Sequence, residues 1–282
     1  MTGYRTEVAA SGLAFPEGPR WHDGGFWFTD QHAHTVNRID DEGQMQIVAH
    51  TDDLPGGLGW LPDGTLLVVY MTQRRIMRLT GDGLVPYADL SGHASFHCND
   101  MVVDRLGRVY AGNFGFDLHG GEAVRAAELI LVDTDRSVET FAIDVVFPNG
   151  SVITPDGHSL LVAETFAHRI SEFGLDTAGR MCSRQVWAEL GRATPDGICL
   201  DSADNIWVAS PGTGEVIRVQ QGGAILDRCA TLGTPYACAL GGNHRRTLYV
   251  CTSETDDPAT AAQLKSGRIE RVEVAVPGAG LP

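Results

Sequence analysis

An all-β, six-bladed propeller of mostly four-stranded antiparallel blades is the fold this sequence predicts, and three observations carry it. A pattern recurs six times: a Gly- or Pro-rich start, a short apolar run, a polar turn of the D-x-x-G or P-D-G type, and a second apolar run. The copies follow one another every 40–50 residues, the period of propeller blades. The second runs are short and rich in β-branched and aromatic residues, as strands are. Aligned on the first run, one slot holds Glu17, Gly57, Asn99, Asn149, Asp196 and Tyr236.

The blades read in order. The first is EGPRWHDGGFWFTDQHAHTVNRID from Glu17, and the second is GGLGWLPDGTLLVVYMTQRRIMRLT from Gly56. The third opens with CNDMVVDRLGRVYAGNFG at Cys98 and resumes as ELILVD. The fourth, PNGSVITPDGHSLLVAETFAHRISEF from Pro148, and the fifth, PDGICLDSADNIWVASPGTGEVIRVQ from Pro195, show the pattern most clearly. The sixth begins PYACALGGNHRRTLYVCTSE at Pro235 and ends with GRIERVEV. An isolated N-terminal strand, YRTEVA at 4–9, is expected to join the last blade from outside, closing the ring and removing an edge. Insertions GFDLHGGEAVRA at 115–126 and TDDPATAAQLKS at 255–266 each follow a second strand and are expected to overhang an open face. No helix is expected.

The 282 residues are read as one propeller domain, 1–282. The chain is 43% hydrophobic with 34 Gly and 13 Pro, a turn-rich globular composition. Its formal net charge of −15 argues against a broad nucleic-acid surface. No apolar stretch reaches the length of a membrane span, and MTGYRTEVAASG has no apolar export core. The six cysteines form no C-x-x-C pair and mostly sit in or beside strand runs, which fits reduced thiols and a cytoplasmic location.

Equivalent positions on radial blades converge on the axis. The shared slot would therefore gather two carboxylates, Glu17 and Asp196, and two amides, Asn99 and Asn149. Each P-D-G or P-N-G taken singly is ordinary turn chemistry; four oxygen donors in one register of a repeat are not. Such a hard-oxygen set suits calcium, magnesium or manganese, and without a cation the two carboxylates would repel. A divalent ion polarises a carbonyl or phosphoryl oxygen. Opening of a cyclic ester fits, because carbonyl activation and oxyanion stabilisation act on one atom. Either Glu17 or Asp196 has the charge to activate water.

With PEGP at 16–19, ND at 99–100, PNG at 148–150 and PDGICLDSADNIWVAS at 195–210, the chain resembles the gluconolactonase and senescence-marker-protein (regucalcin-like) family over nearly its whole length. The resemblance implies a six-bladed propeller with one divalent ion held by Glu17, Asn149 and Asp196. Asn99 completes the metal shell or contacts substrate. It also implies Asp196 as general base and a small lactone, such as a sugar lactone, as substrate. Calcium is the first expectation, with zinc, manganese, magnesium and iron as other ions such a site accepts. Sugar-lactonase members often carry an arginine two residues before the matching asparagine; here that residue is His97. Further residues expected near substrate are Tyr236, Asn113, Phe114 and Trp60, with Glu164 and Glu254 at strand ends as candidates for setting specificity. His32 and His34 have metal-pair spacing but no third ligand near in sequence. Two other readings share this framework: a phosphotriester-hydrolysing propeller, and a non-catalytic calcium-binding or interaction propeller.

Overall fold

The computed structural model describes residues 3–280. Six antiparallel sheets radiate around one axis, as the repeat predicts. Their inner strands are Pro16–His22, Pro55–Trp60, Cys98–Val103, Pro148–Ile153, Ile198–Leu200 and Thr234–Gly241. Three of the second strands, Leu66–Tyr70, Val109–Asn113 and Ile206–Ser210, are buried at every residue, and the other three nearly so. Each lies between two neighbouring blades, so its sequence is a continuous apolar run rather than a half-polar alternation. The core is accordingly a series of layers between blades. Val152, Leu161 and Ala163 of blade four, for example, pack with Ile198, Ile206 and Val208 of blade five. Outer strands such as Met181–Glu189 are largely exposed.

The N-terminal segment closes the ring across two blades, a wider span than the sequence predicts. Gly3–Arg5 pairs in parallel with Ile225–Ala230 of blade five. Glu7–Leu13 then pairs antiparallel with Gly267–Glu273, completing blade six. Thr6 sits at the crossing, donating its N–H to Ala230 O at 3.2 Å and its hydroxyl to the fully buried Glu270. The same carboxylate accepts Leu232 N–H (2.9 Å), Gly233 N–H (3.0 Å) and the Thr252 hydroxyl (2.7 Å). Glu270→Ala leaves these donors without their acceptor. It is expected to cost at least about 3 kcal/mol of stability, read as a fall in the calorimetric unfolding midpoint; an unchanged midpoint would show that the closure does not depend on it.

One α-helix, Pro258–Leu264, corrects the expectation that there is none. Its signal was local: Asp257 caps the first turn by accepting Thr260 N–H at 2.9 Å, and Pro258 occupies the first helical turn. At seven residues it is too short for periodicity to register. Two 3₁₀ turns, Gln31–Ala33 and Thr165–Ala167, follow the second strands of blades one and four. His32 lies in the first of these turns and His34 caps its end. No helix among the described residues is long and apolar enough to cross a membrane.

Candidate functional site

Five of the six inner strands carry the same irregularity. Their pairing slips by one residue between Glu17 and Arg20, Pro55 and Leu58, Cys98 and Met101, Pro148 and Ser151, and Pro235 and Ala237. A bulge of this kind bends the strand and re-aims a side chain. In blades two, three, four and six it takes in the slot residue, and in blade one it begins immediately after Glu17. In blade five Asp196 instead precedes the strand, held by Asp196 N–H to Ala209 O (2.9 Å) and Ala209 N–H to Gly197 O (3.1 Å). The following glycines let the inner strands close on the axis. A Cβ on Gly150 would lie 2.5 Å from Ile198 N, and one on Gly197 would lie 2.4 Å from the Ala237 Cβ.

A second repeated device steadies the loops that lead into these slots. The polar residue ending a second strand accepts a backbone N–H from the loop before its own blade. Asp30 accepts Ala14 and Phe15 N–H (2.9 and 2.8 Å), and Asn113 accepts Phe96 N–H (3.3 Å). Glu164 accepts Val146 N–H (2.7 Å) and Ser210 accepts Thr194 N–H (3.0 Å). Asn113 is thus fully buried behind the wall, also bonded to Gly115 N–H and Glu128 O, and does not reach the cavity. Glu164 is likewise fully buried and paired with Arg169 at 2.9 Å. Burial alone would raise its carboxyl, but hydrogen bonds from Arg169, Ser171 and Val146 leave it below the usual value. Glu254 is exposed beside Arg268 (3.3 Å), outside the cavity. Trp60 ends its inner strand four residues past Gly56, roughly 13 Å down the blade, where it stacks on His22 at 4.1 Å. The polar terminators of FWFTD, RVYAGN, SLLVAE and NIWVAS were visible in the repeat and would have identified this clamp.

Glu17, Asn99, Asn149 and Asp196 line one cavity of about 240 Å³, joined by His97, Phe114 and Tyr236. The structure therefore brings together the whole oxygen set read from the slot. Burial raises the Glu17 carboxyl from 4.5 to about 7, with Asp100 adding to the rise and Gly18 N–H and Arg20 opposing it. Asp196 is raised well above the usual carboxylate value by burial first, then by the charges of Glu17 and Asp100. Asn149 donates to Thr165 Oγ1 (3.3 Å), whose hydroxyl donates to Pro195 O (2.8 Å) and so ties two neighbouring slots. Asn99 Nδ2 donates to Pro148 O at 3.4 Å. Behind the ring lies a buried ion pair, Arg20–Asp100 at 2.7 Å. Blade two has no side chain at the slot: Pro55 faces Tyr70 as Pro16 faces Asp30, which puts Gly56 rather than Gly57 level with Glu17, and a Cβ on Gly56 would stand 2.5 Å from Asn99 O.

Both insertions reach the cavity, contributing Asp117, Leu118 and His119 from one and Asp256 and Pro258 from the other. Gln31 and His32 come from the first 3₁₀ turn, whereas His34 turns away to Asp53 O (3.0 Å). Burial lowers the imidazoles of His97 and His32. Tyr236 packs edge-on to Phe15 at 4.7 Å, and burial raises its phenol.

Among the described residues no three His, Cys, Asp or Glu side chains converge as a metal cluster. Charge nevertheless fits a hard divalent ion here. Two buried carboxylates match its charge, and two amides add neutral oxygen donors.

Residues 15–254 match the model of the SMP-30/gluconolactonase/LRE-like region. A pentonolactonase of Haloferax volcanii is 28% identical over 97% of this chain and 95% of its own length. A 6-deoxy-6-sulfogluconolactonase of Pseudomonas putida is 33% identical over 67% of this chain and 65% of its own. Among solved structures, the calcium-binding regucalcin of Agrobacterium tumefaciens superposes with a TM-score of 0.82 at 19% identity, covering 100% of this chain and 98% of that one. A luciferin-regenerating enzyme gives 0.82 at 21% identity, covering 98% of each. The matched span takes in every slot residue, and the chain belongs to the SMP-30/gluconolactonase/LRE-like family.

Proposed function

We propose that this propeller is a divalent-cation-dependent hydrolase that opens a lactone, with Asp196 as its general base. The observation that carries the reading is the pairing of two buried carboxylates, Glu17 and Asp196, with the amides Asn99 and Asn149 on one cavity surface. The lactonase names of its relatives support it. Glu17, Asn149 and Asp196 would hold the ion, with Asn99 completing the set, and calcium is the ion we assign first. When bound, a divalent ion supplies Lewis-acid polarisation of the ester carbonyl and charge stabilisation of the developing oxyanion.

The chain's own residues do the rest. Asp196, once its charge is balanced, is a carboxylate able to take a proton from an attacking water and return it to the departing ring oxygen. Glu17 holds its charge alongside. Asn99 and Asn149 are held by their bonds to Pro148 O and Thr165. His97, kept mainly neutral by burial near neutral pH, offers a hydrogen bond to substrate from the wall. The free cysteines fit a cytoplasmic protein.

The test is a pH-indicator assay over lactones and phosphotriesters, run after chelation and again after adding back single divalent ions. Lactone turnover should fall to background on chelation and return with the ion. Undiminished turnover in the chelated protein would overturn the metal role, and hydrolysis confined to phosphotriesters would replace the lactone with a phosphorus ester.

A further inference from the structure

The geometry points to a neutral lactone with an apolar, ring-sized substituent as the preferred substrate class, an inference that rests on the lactonase reading and narrows it. The cavity is divided by chemistry. Oxygen donors occupy the slot, Phe96, Phe114, Phe147, Leu54 and Met71 form one apolar wall, and polar side chains such as Gln31, His32, Asp117 and His119 stand elsewhere around the cavity. Phe96 stacks on His97 at 4.1 Å, and Phe114 stacks on Phe147 at 4.5 Å. Phe116 and Phe166 back this wall, 5.6 and 5.0 Å from Phe147.

Phe147 has φ +53° immediately before Pro148. A bulky side chain rarely adopts that left-handed backbone, and a following proline disfavours helical geometry further. Strain of this kind persists where the surroundings enforce it and gathers at ligand sites. Here it sets an aromatic ring in the cavity wall two residues from Asn149.

The charges reinforce the same selection. Among the described lining residues none is lysine or arginine, whereas Glu17, Asp117, Asp196 and Asp256 are all carboxylic. A divalent ion would offset two negative charges and leave the mouth without a cation to receive a sulfonate, phosphate or carboxylate. A polyhydroxylated substituent laid against the apolar wall would give up water to phenyl faces that return no hydrogen bonds. An aryl or alkyl ring meets neither cost and gains stacking.

The test uses the calcium-loaded full chain with γ-phenyl-γ-butyrolactone, its para-carboxylate, unsubstituted γ-butyrolactone and gluconolactone. The phenyl lactone should show kcat/KM at least about tenfold above each of the other three. Phe114→Ala should bring its ratio to γ-butyrolactone down toward one. Phe147→Gly should do the same with the fold retained, since glycine suits the left-handed backbone. Preference for gluconolactone or for the carboxylate would overturn the inference, as would an unchanged ratio in both folded variants. If no lactone is opened, the hydrolase reading fails by itself. Calorimetric binding of γ-phenyl-γ-butyrolactam against the unsubstituted lactam then decides the substrate class: about tenfold tighter binding of the phenyl compound upholds it, and equal or weaker binding overturns it.

Discussion

Asp196→Asn is expected to lower lactone turnover by about 100- to 10,000-fold, the usual worth of a positioned general base, while making the metal-free protein more stable at neutral pH. The two effects share one cause. Asp196 is forced into a buried site beside Glu17, where its ionised form is disfavoured by lost hydration and by the neighbouring charge. An amide of the same shape removes that repulsion, yet it cannot accept the proton of an attacking water. Activity and stability therefore move in opposite directions, as they do where a site is kept strained for function. Turnover is read with the ion-loaded enzyme, and the unfolding midpoint with the chelated one. Retained turnover would remove Asp196 from the base role. A fall in both quantities would mean that the carboxylate is a packing group.

The slot was legible because the repeat encodes it in strand spacing and, in four of the six blades, in a P-x-G motif at Pro16, Pro55, Pro148 and Pro195. Glu17, Asn149 and Asp196 reach a common cavity because the repeat holds them in one register. Trp60 and Asn113 read as site residues because sequence proximity to a slot says nothing of height along the blade or of depth behind the wall. Trp60 stands at the far end of its strand, and Asn113 serves the backbone of the preceding loop. Phe147 was hidden for a different reason. A left-handed phenylalanine leaves no propensity signature, being the outcome of packing against Phe114, Phe116 and Phe166. The insertions were placed over an open face by topology alone, since second strands end on the side where inner strands begin. Their particular contributions, Asp117, His119 and Asp256, depend on loop conformation, which no periodicity fixes.

Metal-free protein is expected to lose stability as pH rises from about 4.5 to about 7, and a divalent ion should cancel that loss. The sign follows from Glu17. Its carboxyl titrates at 4.5 when unperturbed and is raised to about 7 in the fold. Between those values the native state keeps a proton that the unfolded chain has released, so stability falls with rising pH. The contribution is complete below the lower value and gone above the upper one. Asp196 and Asp100 are raised too and act in the same direction. Glu164, held low, acts oppositely, and its contribution is lost only as pH falls below the ordinary carboxylate value. The loss due to Glu17 is on the order of 3 kcal/mol, or roughly 6 °C in unfolding midpoint for a chain of this size. A divalent ion at about one hundred times its dissociation constant restores roughly 2.7 kcal/mol and displaces the protons, so its stabilising effect should grow with pH over the same interval. Calorimetric midpoints from pH 4 to 8, with chelator and with calcium, measure both curves, and Glu17→Gln supplies the control in which the chelated slope flattens. A chelated midpoint that rises steadily through this interval, with calcium adding the same increment at every pH, would mean that the two carboxylates are neither protonated nor waiting for a cation, and the assignment of the slot as an ion site would fall with it.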